Sequence, residues 1–344
     1  MRAMRPTLRI LGVSLVTALL LAACGSKPAP APAAGPAPAT PAKLDKVDLQ
    51  LAWLMNAQSA AFASAVKQGI YKKYGLDVTL HAGGPNVDPI QTVVSGQMQF
   101  GIANSSGSLI LARGQGLPVK ALAAVYQKHP YAYFYKPDSG IKTPADLMGK
   151  RIGIQPTGHY LLTAFLGQAG LKESDVKVVM VGSDLTPLIN NQVDATAAWV
   201  VNAAQVDALP GVQHFLTFDY GLRYFANVIF ATDKTIQSNP DLVKRFVAAS
   251  MEGLAFAMDN PAQSSKDVLA SADNLTEAIE RKTLDLSVPM WASSDTKANG
   301  LGYMNQDVWH EGMQTLVETN QMKAAIKVDD IFTNTYVTGN TPKR

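Results

Sequence analysis

Cysteine is almost absent: the 344 residues contain one, Cys24. A chain with one thiol, placed ahead of its folded body, has no intramolecular disulfide, no Cys-ligated zinc and no cysteine nucleophile there. Histidine is scarce and dispersed at His81, His129, His159, His214 and His310. No HExxH run and no i,i+4 histidine pair occurs, so no metal site is expected. There is no GxSxG elbow and no Walker-type loop. Nothing suggests the geometry of a Ser-His-Asp triad. No Lys/Arg-rich run marks a nucleic-acid or membrane-surface patch, so no nucleic-acid partner is expected. Formal net charge is +3, and Arg2, Arg5 and Arg9 carry that excess. Without those three arginines the remaining Lys+Arg and Asp+Glu balance at 27 each, so net charge selects no partner.

Those arginines precede an uncharged apolar stretch, Ile10 to Ala23. The pattern predicts a cleavable secretory signal over 1–23, too short to span a bilayer. Leu21-Ala22-Ala23-Cys24 resembles the bacterial lipobox. The resemblance implies that Cys24 is lipidated and anchors the exported protein to a membrane. Residues 24–45 are dominated by Pro and Ala. Such a segment buries no core and reads as an extended tether. The rest, about 300 residues, suits two modest domains or one large one, and 47% hydrophobic composition supplies the core.

Behind the tether, periodicity predicts an α/β protein with mainly parallel sheet. Val47–Leu54 reads as a strand. Phe62, Val66, Ile70 and Tyr74 define one helix face, stopped by Gly75. Leu76–His81 is the next strand. Asp88 caps a helix with Pro89 at its first position. Phe100–Ala103 and Val119–Tyr126 are strands, and Asn104-Ser105-Ser106-Gly107 opens a helix between them. Thr143-Pro144-Ala145-Asp146 is a helix start. Arg151–Gln155, Lys177–Val181, Ala195–Val200 and Val228–Thr232 are further strands. From Pro240 the chain is mostly helical, with breaks at Pro261, Pro289 and Gly300.

Several stretches resemble the periplasmic substrate-binding proteins of ABC importers. The NMT1/THI5-like branch, which handles nitrate, sulfonates, taurine and thiamine-pyrimidine precursors, is the one matched. The residues are Trp53-Leu54-Met55-Asn56, Gly69-Ile70-Tyr71-Lys72-Lys73-Tyr74-Gly75-Leu76-Asp77-Val78, Gly83-Gly84, Gly96-Gln97-Met98-Gln99-Phe100-Gly101, Thr143 to Gly153, and Gln192-Val193-Asp194-Ala195. The resemblance implies a two-lobed fold of type II, each lobe a mainly parallel sheet flanked by helices. Lobe one would comprise 46–134 and 230–344, and lobe two 135–229. A small ligand would bind between them and pass to an ABC permease and its ATPase. It implies a monomer without cofactor. Related eukaryotic pyrimidine synthases carry a cysteine-rich motif that this body lacks, which disfavours an enzyme. A ligand-sensing lipoprotein is the other alternative.

Ligands of open α/β sheets bind beyond the strand carboxyl ends. Those positions give Trp53, Asn56 and Gln58; Gly83 and Gly84; Asn104, Ser105 and Ser106; Thr157, Gly158, His159 and Tyr160; Trp199 and Asn202; and Tyr224 and Asn227. Each has a plainer role available. Trp53 suits core, Asn104-Ser105-Ser106 a helix cap, Gly83-Gly84 a turn, and His159 a surface site. The loop Tyr126–Tyr135, with Lys128, His129 and four tyrosines, suits either a ring or a hinge. Aromatic faces with Asn, Gln and Ser favour a planar heteroaromatic such as a thiamine-pyrimidine precursor. Helix N-termini and Arg223 keep nitrate, taurine or an alkanesulfonate as the alternative.

Overall fold

The computed structural model describes residues 43–182, 185–208 and 211–344. The expected signal, Cys24 and nearly all of the tether lie outside them. Lys43–Arg344 forms one compact unit built on two five-stranded sheets. The first holds β1 (Asp45–Gln50), β2 (Leu76–His81), β3 (Phe100–Ser105), β4 (Val119–Tyr126) and β10 (Ala226–Thr232), in the order β2-β1-β3-β10-β4. The second holds β5 (Tyr131–Tyr135), β6 (Arg151–Ile154), β7 (Lys177–Met180), β8 (Ala195–Trp199) and β9 (Gln213–Leu216), in the order β7-β6-β8-β5-β9.

The two sheets share one device. In each, a single strand runs against the other four: β10 in the first and β5 in the second. Each is the strand that has just arrived from the other sheet. The chain crosses between Tyr126 and Tyr131 and returns between Leu216 and Ala226. Both crossings lie N-terminal to the expected boundaries at 134 and 229, because β5 belongs wholly to the second sheet and β10 wholly to the first.

Helices α1 (Ala60–Lys67), α2 (Ile70–Lys73), α3 (Pro89–Val94) and α4 (Ser106–Gly114) intervene in the first sheet, and α5 (His159–Gln168), α6 (Thr186–Ile189) and α7 (Ala203–Val206) in the second. The tail supplies α8 (Asp233–Ser238), α9 (Pro240–Asp259), α10 (Pro261–Leu269), α11 (Glu277–Ser287), α12 (Ser294–Asn299) and α13 (Gln306–Glu318). Three local expectations change. The helix over Phe62–Tyr74 is split at Gly69, whose φ of 69° ends one helix and starts the next. The first strand stops at Gln50, because the chain then turns so that Gly83 donates to the Trp53 carbonyl at 2.9 Å. Thr143-Pro144-Ala145-Asp146 makes a single 3-10 turn, whose capping box is closed by Asp146.

The tail completes the first sheet. Phe246 of α9 stacks on Phe100 of β3 with ring centroids 4.0 Å apart. A Cβ on Gly253 would lie 2.3 Å from the Ala61 carbonyl oxygen, so glycine is what lets α9 lie flat on α1. Trp291 and Trp309 are fully buried packing residues, Trp309 stacked on Phe332. No described helix is long and apolar enough to cross a membrane.

Candidate functional site

A cavity of about 340 Å³ is lined by both sheets and by the first crossing segment. From the first sheet come Trp53, Gln58 and Asn104. Trp53 follows β1. Asn56 does not reach the cavity; its side chain accepts from the Gln58 N–H at 2.9 Å and starts the 3-10 turn Ala57–Ser59. Asn227 donates to the Gln58 carbonyl at 3.2 Å, so it fixes Gln58 from behind. The Gln58 side-chain amide has no hydrogen-bond partner among the described residues and is free for a ligand.

The other first-sheet candidates hold the chain. A Cβ on Gly83 would lie 2.4 Å from the Leu51 carbonyl oxygen, so the glycine permits a backbone crossing. Gly84 has a φ of 147° and faces Leu54. Ser105 caps α4 by accepting from the Gly107 N–H at 3.2 Å. Ser106 accepts from the Phe225 N–H at 3.1 Å and ties α4 to the return crossing. Tyr224 is fully buried, and its hydroxyl donates to the Gly312 carbonyl at 3.1 Å. None of these lines the cavity. Their polar or aromatic character serves capping and packing.

The second sheet contributes Thr157, Gly158 and Tyr160 after β6, Trp199 as the last residue of β8, and Asn202 beyond it. Gly158 lies against the Tyr131 hydroxyl, where a Cβ would come within 2.7 Å. Burial pushes the Tyr160 hydroxyl up to about 12, so it remains a neutral donor. Asn202 caps α7 by accepting from the Gln205 N–H at 3.3 Å. His159 points elsewhere: its Nε2 meets Glu173 Oε1 at 2.8 Å and it does not line the cavity.

The crossing supplies His129 and Tyr131. His129 Nδ1 accepts from the Tyr131 N–H at 3.2 Å, which leaves the proton on Nε2. Burial pushes His129 down to about 3, so its ring is neutral at physiological pH. That ring stands edge-on to Trp199 at 5.5 Å, and the Tyr126 ring meets Trp199 edge-on at 5.6 Å. Trp199 is thereby held as a rigid plate. Lys128 turns outward to Asp219 at 2.7 Å.

Helix sides form a wall that strand-end reasoning does not reach. Ser108, Leu111, Ala112 and Gln115 line the cavity along α4 and its C-terminus. Their i, i+3, i+4, i+7 spacing is the signal that could have found them. At 1.5 Å per residue this wall is about 10 Å long. Asp88 and Gln91 face it from the start of α3. No described Lys or Arg lines the cavity. Asp88 is the one carboxylate among the described lining residues, already accepting from the Ile90 N–H at 2.8 Å. Arg223 pairs with Glu311 at 3.7 Å and lies beside Phe218, off the cavity. Among the described residues no cluster of His, Cys, Asp or Glu is fit to hold a metal ion.

Residues 56–264 match the family described as NMT1/THI5 like. The chain is 31% identical to the riboflavin-binding protein RibY of Chloroflexus aurantiacus, over 97% of this chain and 99% of that protein. It is 23% identical to a formylaminopyrimidine-binding protein of Halalkalibacterium halodurans, over 85% and 90%. In structure it resembles the periplasmic aliphatic sulphonate binding protein SsuA of Escherichia coli, with a TM-score of 0.65, 17% identity, and coverage of 88% and 96%. That likeness shows the two-lobed periplasmic-binding-protein fold.

Proposed function

We propose, for a chain that belongs to the NMT1/THI5-like family, that it is the solute-binding component of an ABC importer and captures a neutral planar heteroaromatic of flavin size. One observation carries this reading: the cavity sets Trp53, Trp199, Tyr131 and Tyr160 beside Gln58, Asn104 and Asn202, with no Lys or Arg among the described lining residues. Aromatic plates stack on rings, and amides pair with the acceptors and donors of ring edges. A sulfonate or nitrate would find no cation among the described lining residues and would face Asp88.

Size separates the heteroaromatics. About 340 Å³ falls within the usual range for drug-sized ligands, roughly 300–1,000 Å³. The wall along α4 adds about 10 Å of length. A single pyrimidine ring fills only part of this space, whereas a fused three-ring flavin with a polar tail uses its length. The name of the 31% identical relative supports the same choice. The protein then acts as a reversible binder without turnover, as a monomer delivering ligand to a permease. Titration of the purified protein with riboflavin, followed by quenching of flavin fluorescence, tests this. Saturable one-to-one binding is expected. Binding of a pyrimidine but not of riboflavin overturns the size argument. Binding of an alkanesulfonate alone overturns the reading.

The lipobox-like Leu21-Ala22-Ala23-Cys24 supports export and anchoring through a lipid on Cys24. Cys24→Ser should release the protein from the membrane with riboflavin affinity intact. Lipid labelling that persists in that variant rejects the anchor.

A further inference from the structure

One buried face of α11 is polar. Glu280, Thr283 and Ser287 stand at i, i+3 and i+7, the spacing of a single helix face. They are 3%, 3% and 0% exposed. Burial of three polar groups is costly unless each finds a partner. Each does, and each partner adjoins a different group of lining residues: Ala57 precedes Gln58, Ala203 follows Asn202, and the Tyr126 ring packs against Trp199.

Glu280 Oε2 accepts from the Ala57 N–H at 2.6 Å. Ala57 opens the 3-10 turn that carries Gln58. Thr283 Oγ1 accepts from the Ala203 N–H at 3.3 Å. Ala203 opens α7, between the lining residues Asn202 and Gln205. Ser287 Oγ accepts from the Tyr126 hydroxyl at 2.9 Å, and the Tyr126 ring is the plate edge-on behind Trp199. Lys282, beside Thr283, pairs with Asp207 at the end of α7. The N–H groups of Ala57 and Ala203 open helical turns and lack intrahelical partners, so an outside acceptor decides where those turns sit. One rigid helix therefore registers a first-sheet loop, a second-sheet helix and the aromatic pair at the first crossing. None of its three polar residues lines the cavity.

We propose that Glu280, Thr283 and Ser287 are positioning residues that set the spacing of the ligand-contacting walls, so that affinity depends on a helix the ligand never touches. Stacking and edge hydrogen bonds need their partners held within about 0.5 Å. This inference rests on the cavity being the ligand site.

The test compares Thr283→Val, Ser287→Ala and Thr283→Ser in the full chain. Valine keeps the shape of threonine and loses the acceptor; serine keeps the acceptor. Thr283→Val and Ser287→Ala should each raise the riboflavin Kd about three- to tenfold, mainly through faster release, with cooperative thermal unfolding retained. Thr283→Ser should restore wild-type affinity. If both acceptor-removing variants bind within about twofold of wild type while losing only melting temperature, the stripe is structural and the proposal fails. Amide hydrogen exchange without ligand separates this failure from that of the ligand assignment. Should wild type not bind riboflavin, Thr283→Val must still exchange faster at Ala203 and Gln205 than wild type, and Ser287→Ala faster at Trp199. Unchanged exchange in both overturns the proposal.

Discussion

The two sheets use their strand ends differently. At and beyond the ends of β6 and β8 of the second sheet, Thr157, Gly158, Tyr160, Trp199 and Asn202 line the cavity, and His159 alone among the candidates turns away. In the first sheet the candidate positions mostly serve the chain itself. Gly83 permits a backbone crossing, Ser105 and Ser106 fix the start of α4, and Asn227 holds the Gln58 carbonyl. The first sheet adds the sides of α3 and α4 to Trp53, Gln58 and Asn104. Most first-sheet candidates use their polar groups or small size to close a helix or a turn, and there the helix flanks line the cavity; Asn202 of the second sheet both caps α7 and lines the cavity.

Two glycines break or sharpen this contrast. Gly83→Ala in the first sheet puts a Cβ 2.4 Å from a backbone oxygen that cannot swing aside. Unfolding in urea should show a loss of about 3 kcal/mol, as for severe overpacking. A variant as stable as wild type would mean the crossing is not tight. Gly158→Ala in the second sheet meets only the hydroxyl end of Tyr131, at 2.7 Å. Its stability loss should be smaller, and displacement of Tyr131 into the cavity should weaken riboflavin binding about fivefold, or ~1 kcal/mol. Loss of stability without loss of affinity would move Gly158 to the first sheet's pattern.

The first crossing, which belongs to neither face of the comparison, carries a pH signature. His129 is held neutral by burial, with its value lowered from 6.5 to about 3. Its ring neighbours Tyr131 and Trp199 bring no charge, and the adjacent Lys128 is paired with Asp219. Below pH 6.5 the unfolded chain takes up a proton that the folded chain refuses, so this contribution is intact above 6.5 and is lost progressively towards 3. The slope approaches about 1.4 kcal/mol per pH unit. His129→Gln should flatten it in urea unfolding at pH 7, 6 and 5; parallel slopes would reject the neutral imidazole. Next in size is Trp199→Ala. If the indole stacks on ligand, affinity should fall at least tenfold, about 1.4 kcal/mol. Equal affinity in a folded variant would remove Trp199 from the ligand wall.

Much of the first sheet was legible because short-range chemistry marked it. Asp88-Pro89 opens α3 and Gly75 ends α2 as their residue types demand. Strand-end reasoning also reaches Trp53, Gln58, Asn104 and, apart from His159, the second-sheet candidates that line the cavity. Periodicity does not reach strands β5 and β9. Tyr131-Ala-Tyr-Phe-Tyr has aromatic residues on both faces, because both faces of β5 are buried, Tyr131, Tyr133 and Tyr135 in one core cluster and Ala132 and Phe134 in another. That pattern has no alternation to read. Tyr224 was legible as an aromatic before a strand, but its direction was set by Gly107 and Gly312, which leave room for its ring. Such long-range accommodation has no signal in the local sequence. The polar stripe of α11 was hidden for the same reason, since its partners lie far away in the chain.

The smallest effect belongs to the one second-sheet candidate that departs from its neighbours. His159 and Tyr160 are adjacent, so an α-helix sends their side chains about 100° apart. Tyr160 faces the cavity, and His159 faces Glu173, whose other oxygen accepts from Thr163 at 3.1 Å. Both side chains of the His159–Glu173 pair are about two-fifths exposed, at 43% and 40%, where ion pairs contribute roughly 0–1 kcal/mol. Glutamine retains a donor for Glu173 and leaves α5 otherwise unchanged. His159→Gln should therefore alter unfolding free energy by less than about 0.5 kcal/mol and leave the riboflavin Kd within about twofold. A tenfold loss of affinity in this variant would mean that α5 turns about its axis when ligand binds. The wall after β6 would then be made by His159 rather than Tyr160, and the contrast between the two sheets would have to be redrawn for the liganded state.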